Sequence, residues 1–321
     1  MRNCNKKTNI IGVVLFYFSI ISALSCNPVG NKKDVVETKE TSSKIKSIKM
    51  YSYIAKDYFG EITKGERTKI DPWHGKHEYY DEFGNLLEET LYDVDGKIFQ
   101  KGTYKYNDKG KIIEYNWYLA GGILNEQTIY NYDNNNNLIE ESTYNKEGDL
   151  QRKYVYSYDN KGQLVKMDWL KPDGNIFSSE TYKYDSKGNK IEVHEQSGYF
   201  LNETGKYLYK YDDNNNLIEE LYYMYGEIYS KKSNIYDKEN NIIESKHSEY
   251  SSGKELTASS KFEYDNNRNI IEETTYKVDN SILKEHYKYE YDNSSNWIKK
   301  VVFYEATAKY IIEREIIYYE K

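Results

Sequence analysis

Tyr132-Asp133-Asn134-Asn135-Asn136-Asn137-Leu138-Ile139-Glu140-Glu141-Ser142-Thr143-Tyr144-Asn145-Lys146-Glu147-Gly148-Asp149-Leu150-Gln151-Arg152-Lys153-Tyr154-Val155-Tyr156-Ser157 is one unit of a tandem repeat, which begins again at Tyr158-Asp159. A Tyr followed by Asp or Asn recurs at Tyr80, Tyr106, Tyr132, Tyr158, Tyr184, Tyr211, Tyr236, Tyr264 and Tyr291, at intervals of 26 residues four times and of 25 to 28 thereafter. Four residues after this anchor stands Gly84, Gly110, Asn136, Gly162, Gly188, Asn215 or Asn240, the two residue types that enter left-handed backbone at least cost. Arg268 and Ser295 depart from the pattern.

Seven residues after the anchor the position is always apolar: Leu87, Ile113, Ile139, Val165, Ile191, Ile218, Ile243, Ile271 and Ile298. That regularity implies a shared buried face. A second turn signal falls halfway along most units, as in Asp95-Gly96, Gly121-Gly122, Glu147-Gly148, Asp173-Gly174, Tyr225-Gly226, Ser252-Gly253 and Asp279-Asn280. Each unit therefore carries two extended segments and two turns.

Composition agrees. Hydrophobic residues make up 38%, but 38 of the residues are Tyr and only three are Pro, so aliphatic core material is scarce. Short runs of Val, Ile, Tyr and Thr bounded by Asp, Asn and Gly specify antiparallel strands. The expected fold is all-β, with tandem β-hairpin repeats forming one long antiparallel meander of about 18 to 20 strands in a curved or spiral single-layer sheet. Tyr154, Tyr156 and Tyr158 are two apart and share a face, as do the pairs Tyr104/Tyr106, Tyr130/Tyr132, Tyr182/Tyr184, Tyr209/Tyr211 and Tyr289/Tyr291, so one face is tiled with Tyr.

Upstream of the repeats, Arg2, Lys6 and Lys7 precede an apolar run from Ile10 to Ile21, the length of a signal-peptide core and too short to span a bilayer as a helix. Residues 1–25 are read as an export signal. Residues 26–47 are read as Cys26 with a flexible tether rich in Lys, Glu, Thr and Ser, residues 48–79 as an N-terminal capping β unit, and residues 80–321 as the repeat domain. Ala23-Leu24-Ser25-Cys26 resembles the lipobox of bacterial lipoproteins, in the looser form familiar from spirochaetes, which implies acylation of Cys26 and a membrane-anchored place in the cell envelope. It also satisfies the small-x-small rule of ordinary signal peptidase, which leaves plain secretion open. Cys4 leaves with the signal, so Cys26 is the one thiol of the mature chain and no intramolecular disulfide can form.

The formal charge is −7, and removal of residues 1–25, which hold three basic residues and no acidic one, makes it more negative. Nucleic acid is excluded as a partner, because a phosphate backbone would be repelled. Anionic lipid gains nothing from this surface either, so attachment to a membrane falls to acyl chains on Cys26. A glycan or protein ligand is the partner class left for the Tyr-tiled face.

No constellation defines a reaction. The neighbours Glu88/Glu89, Glu140/Glu141, Glu219/Glu220 and Glu272/Glu273 point to opposite faces of a strand and do not cooperate as acid and base. A Glu eight residues after the anchor (Glu88, Glu114, Glu140, Glu192, Glu219, Glu244, Glu272) recurs on alternate strands, near the carboxylate separation of inverting glycosidases, but a residue repeated on nearly every unit is a solubility device. His74, His77, His194, His247 and His286 are scattered, and His74-x-x-His77 lacks further ligands for zinc. The turns Asp133 to Asn137 and Asp212 to Asn216, and Asp93-x-Asp95-Gly96, are rich in oxygen but lack the downstream bidentate Glu of a calcium loop. The expectation is no enzyme, no cofactor and no metal.

Tyr80-Asp81-Glu82-Phe83-Gly84-Asn85-Leu86-Leu87 and Tyr158-Asp159-Asn160-Lys161-Gly162-Gln163-Leu164-Val165 resemble the YD repeat of the RHS family. The resemblance runs from Tyr80 to Tyr319. It implies a spiral of β-hairpins, which in large family members wraps into a shell around a toxin segment. The period here is longer than the usual repeat, and the processing core and toxic C-terminal region are missing. Two readings follow: a lipid-anchored surface or periplasmic protein for display, adhesion or ligand binding, and a secreted RHS-like component that encloses or delivers a polypeptide.

Overall fold

A computed structural model describes residues 44–68, 75–198, 204–251 and 253–320. The signal, Cys26 and most of the expected tether lie outside the described residues. The described residues are almost wholly extended. Its strands are β1 (Ile45–Tyr58), β2 (Glu61–Arg67), β3 (Gly75–Tyr80), β4 (Leu86–Tyr92), β5 (Ile98–Tyr106), β6 (Ile112–Leu119) and β7 (Ile123–Tyr132). They continue as β8 (Leu138–Asn145), β9 (Leu150–Tyr158), β10 (Leu164–Leu170), β11 (Ile176–Tyr184), β12 (Lys190–Ser197), β13 (Thr204–Tyr211) and β14 (Leu217–Met224). The last are β15 (Glu227–Tyr236), β16 (Ile242–Ser251), β17 (Lys254–Tyr264), β18 (Ile270–Tyr276), β19 (Ile282–Tyr291), β20 (Trp297–Tyr304) and β21 (Thr307–Tyr318).

From β3 to β21 each strand pairs antiparallel with the next, as the meander expectation requires. The sheet is closed, however, and not an open or spiral one. β1 pairs antiparallel with β21, from Ile45↔Tyr318 to Ile54↔Tyr310, and on its other edge with β3, from Ser47↔Tyr79 to Tyr51↔Gly75. Strand parity explains the closure. The meander from β3 to β21 has an odd number of strands, so its two edges run in the same direction, and a single strand of opposite direction satisfies both. β1, from the segment expected to act as a terminal cap, is that strand. The result is a 20-stranded antiparallel barrel in which β1 joins both edges of the meander, with β2 paired to β1 alone among the described residues.

The anchor turns form as the Gly and Asn positions predict. Gly84, Gly110, Asn136, Gly162, Gly188, Asn215 and Asn240 all have positive φ, and so do Arg268 (φ 64°) and Ser295 (φ 62°), which keep the left-handed geometry without its preferred residue. At each turn the residue after the anchor supplies a side-chain acceptor. The Asp133 carboxylate accepts the backbone N–H of Asn135 and Asn137 and the Asn137 amide, and Asp159, Asp185, Asp212, Asp237, Asp265 and Asp292 hold the same position.

The aliphatic positions seven after the anchor do not share a buried face. Tyr106 pairs with Ile112 and Lys105 with Glu114, so Ile113 is the extra residue of a β-bulge, and the same shift recurs at the other anchors. Leu87, Ile139 and Ile243 are exposed and the rest are half-buried. The physical reason is the closed single wall, which has no second layer to cover them. The buried apolar residues among those described are Ile48, Leu91, Phe177, Val193, Val301, Val302, Phe303, Ala308 and Ile311, too few to fill a barrel of this size. Four of them, Val301, Phe303, Ala308 and Ile311, make one small cluster where Tyr53, Ala55 and Ile62 of the β1–β2 hairpin lie on β20 and β21. Lys64 of that hairpin reaches Glu313 at 2.9 Å.

Candidate functional site

The register assigns every strand residue to one wall. Tyr104↔Tyr115↔Thr128↔Thr143↔Arg152 is one row across five strands, and Tyr182↔Val193↔Tyr207↔Tyr222 is another. The neighbouring positions of the same strands form the opposite wall, with rows such as Lys105↔Glu114 and Lys183↔Glu192. The two walls differ in how water reaches them. On the tyrosine wall, burial is the first cause holding the phenols of Tyr115, Tyr130, Tyr156, Tyr182 and Tyr209 above their ordinary range. On the other wall the first cause is a lysine hydrogen bond, which lowers the carboxyls of Glu114, Glu140, Glu192 and Glu219. Carboxyl compared with carboxyl, Glu141 and Glu195 of the tyrosine wall are raised, burial first, while Glu114, Glu140, Glu192 and Glu219 are lowered. The tyrosine wall is thus the more enclosed, as the concave lining of a barrel is, and the Lys/Glu wall is the outward one.

The outward wall is a ladder of cross-strand ion pairs, including Lys101–Glu88 at 2.7 Å, Lys105–Glu114 at 2.8 Å, Lys153–Glu140 at 2.6 Å, Lys183–Glu192 at 2.7 Å and Lys284–Glu272 at 2.6 Å. Every Glu eight after the anchor sits here. Exposed pairs of this kind contribute about 0–1 kcal/mol each, so their effect is on solubility. A lipid-facing band on a barrel is apolar, and this wall is charged. Among the described residues no helix is long and apolar enough to cross a membrane.

On the inner wall the anchor tyrosines act as latches. The hydroxyls of Tyr106, Tyr132, Tyr158 and Tyr184 donate to the carbonyls of Leu86, Ile112, Leu138 and Leu164, each one strand back, at 2.7, 2.7, 2.8 and 2.9 Å. Tyr211, Tyr236 and Tyr264 repeat the contact on Lys190, Leu217 and Ile242. These bonds satisfy carbonyls where the bulge interrupts the ladder. The Asx turns behind them use their carboxylate oxygens on their own backbone and Asn side chains, and at Asp265 and Asp292 also on the hydroxyls of Tyr291 and Tyr318, which accounts for the oxygen-rich turns of the sequence.

The middle of the inner wall carries the chemistry left over. Tyr104 and Tyr115 rings lie 4.9 Å apart, Tyr207 and Tyr222 4.4 Å apart, and Trp169 meets Phe177 at 4.3 Å and Tyr154 at 5.9 Å. Between these aromatics stand carboxylates in directly opposed pairs. Glu78 faces Glu89, with the Lys76 ammonium 2.7 and 3.2 Å from the two, and Tyr80 and Tyr104 donating to them at 3.0 and 2.6 Å. Glu180 faces Glu195, Tyr182 donates to Glu180 at 2.6 Å, and Gly205 lies opposite Glu195. Glu273 faces Glu285, to which Tyr287 donates at 2.6 Å, and the Lys300 amine lies 4.0 Å over the Tyr287 ring.

Burial and the facing Glu180 carboxylate raise the Glu195 carboxyl to about 7. Glu141, paired with Tyr130 and Tyr154 and accepting from Tyr156 at 3.3 Å, is also raised by burial. Such a surface of aromatic faces, phenol hydroxyls and carboxylates can stack on flat apolar rings and bond hydroxyl or amide groups. The sequence identified the tyrosine face but not these carboxylates, because Glu89, Glu141, Glu220 and Glu273 look like the second members of the adjacent pairs. Alternation places their partners Glu88, Glu140, Glu219 and Glu272 outside.

His77, buried against Tyr79 at 4.0 Å, His194 on Glu192 at 2.7 Å, and His286 stacked on Phe303 at 4.4 Å occupy separate places on the outward wall. Among the described residues no group of three or more His, Cys, Asp or Glu converges as a metal site would require. His74 and Cys26 lie outside the described residues.

No protein-family model and no curated protein matches the chain. Among solved structures, it is similar to a porin-like protein from Bacteroides uniformis, at 11% identity over 85% of this chain and 98% of that one with a TM-score of 0.37. A porin-like protein from Bacteroides vulgatus is similar at 11% identity over 87% and 100% with a TM-score of 0.33. A chain of the Photorhabdus luminescens Tc holotoxin pore is similar at 12% identity over 71% of this chain with a TM-score of 0.32, and the chain spans 15% of its length.

Proposed function

We propose that the protein is a binding module of the bacterial cell envelope, held to a membrane by acyl chains on Cys26, whose barrel takes an extended polar ligand, a glycan foremost, against its inner wall. It performs no catalysis. The observation that carries this reading is the inner lining of tyrosine rings and carboxylates, broken across β15–β17 by Ser230, Lys232, Ser245, His247 and Ala258, in a barrel with few buried apolar side chains among the described residues. Twenty strands at about 4.8 Å spacing and a tilt of about 40° give a backbone diameter on the order of 40 Å, wide enough for a hydrated lumen. The charged outward wall supports a barrel that stands in water while the tether does the anchoring.

The test is glycan-array binding of the acylated protein, followed by titration of any hit against Trp169→Ala and Tyr207→Ala. Loss of binding in both variants, with an unchanged β-sheet circular dichroism spectrum, supports the reading. Binding that survives both, or no binding to any glycan, removes it. Intact mass of wild type and Cys26→Ala separately tests the anchor.

Closure of the ring also favours the second reading, a component that encloses a polypeptide. Protease protection of a co-purified peptide by the barrel, without glycan binding, would select it.

A further inference from the structure

The two ends of the barrel are built differently. At one end lie the Asx turns after the anchor tyrosines, and both the start of β1 and the end of β21 lie there, joined by the bond from the Tyr319 N–H to the Lys44 carbonyl at 2.8 Å. At the other end, where β1 turns into β2 and the odd-numbered strands from β5 onward begin, the turns present large apolar side chains to solvent. Phe59 is fully exposed, and Ile123, Tyr225 and Ile282 are 58%, 62% and 60% exposed, with Val94 and Phe99 beside them. These residues come from hairpins spread around the ring. Among the described residues nothing covers them.

We propose that this apolar rim seats a second copy of the same chain, the two barrels meeting rim to rim about a two-fold axis. The proposal rests on the barrel and is independent of the lipid anchor and of any ligand. Area is the first argument. The β12–β13 and β16–β17 turns hold residues outside those described and are set aside. A wall about 10 Å thick around the remaining arc of roughly 100 Å gives roughly 1,000 Å² per partner, above the roughly 800 Å² per partner of standard stable interfaces. Shape is the second: an identical ring has the same diameter, and a two-fold contact uses one patch twice. Charge is the third. The same turns carry both signs, Asp95 with Lys97, Lys171 with Asp173 and Lys277 with Asp279, which can pair across a two-fold axis. Immersion of the rim in acyl chains would strip those charges of water.

The experiment is sedimentation velocity of the full chain over a concentration series. It compares wild type with the triple variant Phe59→Asp, Ile123→Asp, Ile282→Asp and with Phe83→Asp, which alters an 87% exposed residue at the opposite end. Wild type should dimerise reversibly. The triple variant should weaken dimerisation at least about tenfold with its β-sheet spectrum and melting temperature retained, and Phe83→Asp should leave it unchanged. A wild-type monomer up to about 100 μM, or a dimer lost in Phe83→Asp and kept in the triple variant, overturns the proposal. Flotation with phosphatidylcholine vesicles that the triple variant abolishes, in the absence of a dimer, assigns the rim to lipid instead and also overturns it.

Discussion

Glu180 and Glu195 stand directly opposite one another on the inner wall, paired across β11 and β12. Burial disfavours the charged Glu195 carboxylate and the like charge of Glu180 adds to the cost, so the carboxyl is raised to about 7. A carboxyl whose folded-state pKa lies above its unfolded value binds more protons folded than unfolded, so it favours folding at low pH. That contribution is lost as pH rises through about 7. A tenfold difference in proton affinity between the folded and unfolded chain corresponds to about 1.4 kcal/mol. Glu195→Gln should therefore stabilise the barrel at pH 8 and change little at pH 4, where the native carboxyl is already neutral. Melting temperatures of both proteins across that range check this, and a gain independent of pH would refute it.

Gly205 leaves the space into which Glu195 leans. A Cβ at this position would lie 2.6 Å from the Glu195 Oε2 atom and 3.1 Å from the Tyr222 ring. Gly205→Ala should destabilise by about 1–3 kcal/mol. Combined with Glu195→Ala the loss should shrink, because the nearest obstacle is gone, and a double-mutant cycle in urea reads the coupling directly. Additive losses would show that the Tyr222 ring, and not the carboxylate, is the obstacle.

Tyr158 donates to the Leu138 carbonyl at 2.8 Å, and Tyr132 and Tyr184 repeat the latch. Tyr→Phe at each keeps the ring and leaves a carbonyl without its donor, with an expected cost of about 1 kcal/mol apiece. Urea midpoints of the single and triple variants measure it. A triple variant as stable as the parent would mean that water replaces the hydroxyl at no cost.

Arg268 and Ser295 occupy left-handed turn positions that Gly or Asn fills in the other units. Arg268→Gly and Ser295→Gly should each stabilise by up to about 1 kcal/mol, since Gly relieves a Cβ clash that outweighs its entropy in the unfolded chain. Thermal melts decide the sign. Destabilisation would mean that the side chains themselves hold the turn.

Deletion of residues 132–157 removes two strands, leaves β3 and β21 running in the same direction, and lets β1 close a smaller ring. Deletion of residues 146–158 removes one strand, sets β3 and β21 antiparallel, and prevents β1 from pairing with both. The first variant should be monodisperse and cooperative in unfolding, and the second should aggregate through an open edge. Equal behaviour of the two would count against closure by β1.

Much of this was legible in the sequence because it is local. Turn residues at fixed offsets set the hairpins, and a side-chain period of two puts Tyr154, Tyr156 and Tyr158 on one face whatever the sheet does next. The burial expected for Leu87, Ile139 and Ile243 failed for the opposite reason. Apolar character says that a residue gains from cover, but only the fold supplies it, and a one-layer wall supplies none at a bulge. The opposed carboxylates were hidden likewise, since Glu180 and Glu195 lie in different strands and meet only through register.

The sequence by itself thus determined the strands, the turns and the chemical identity of each wall, all of which follow from backbone sterics and alternation within one unit. Only the tertiary structure decided that the tyrosine wall is concave, that acids face acids across it, and that the sheet is a barrel. Closure depends on β1 finding two edges separated from each other by the whole repeat array, and the direction of those edges is a property of the number of strands and not of any residue.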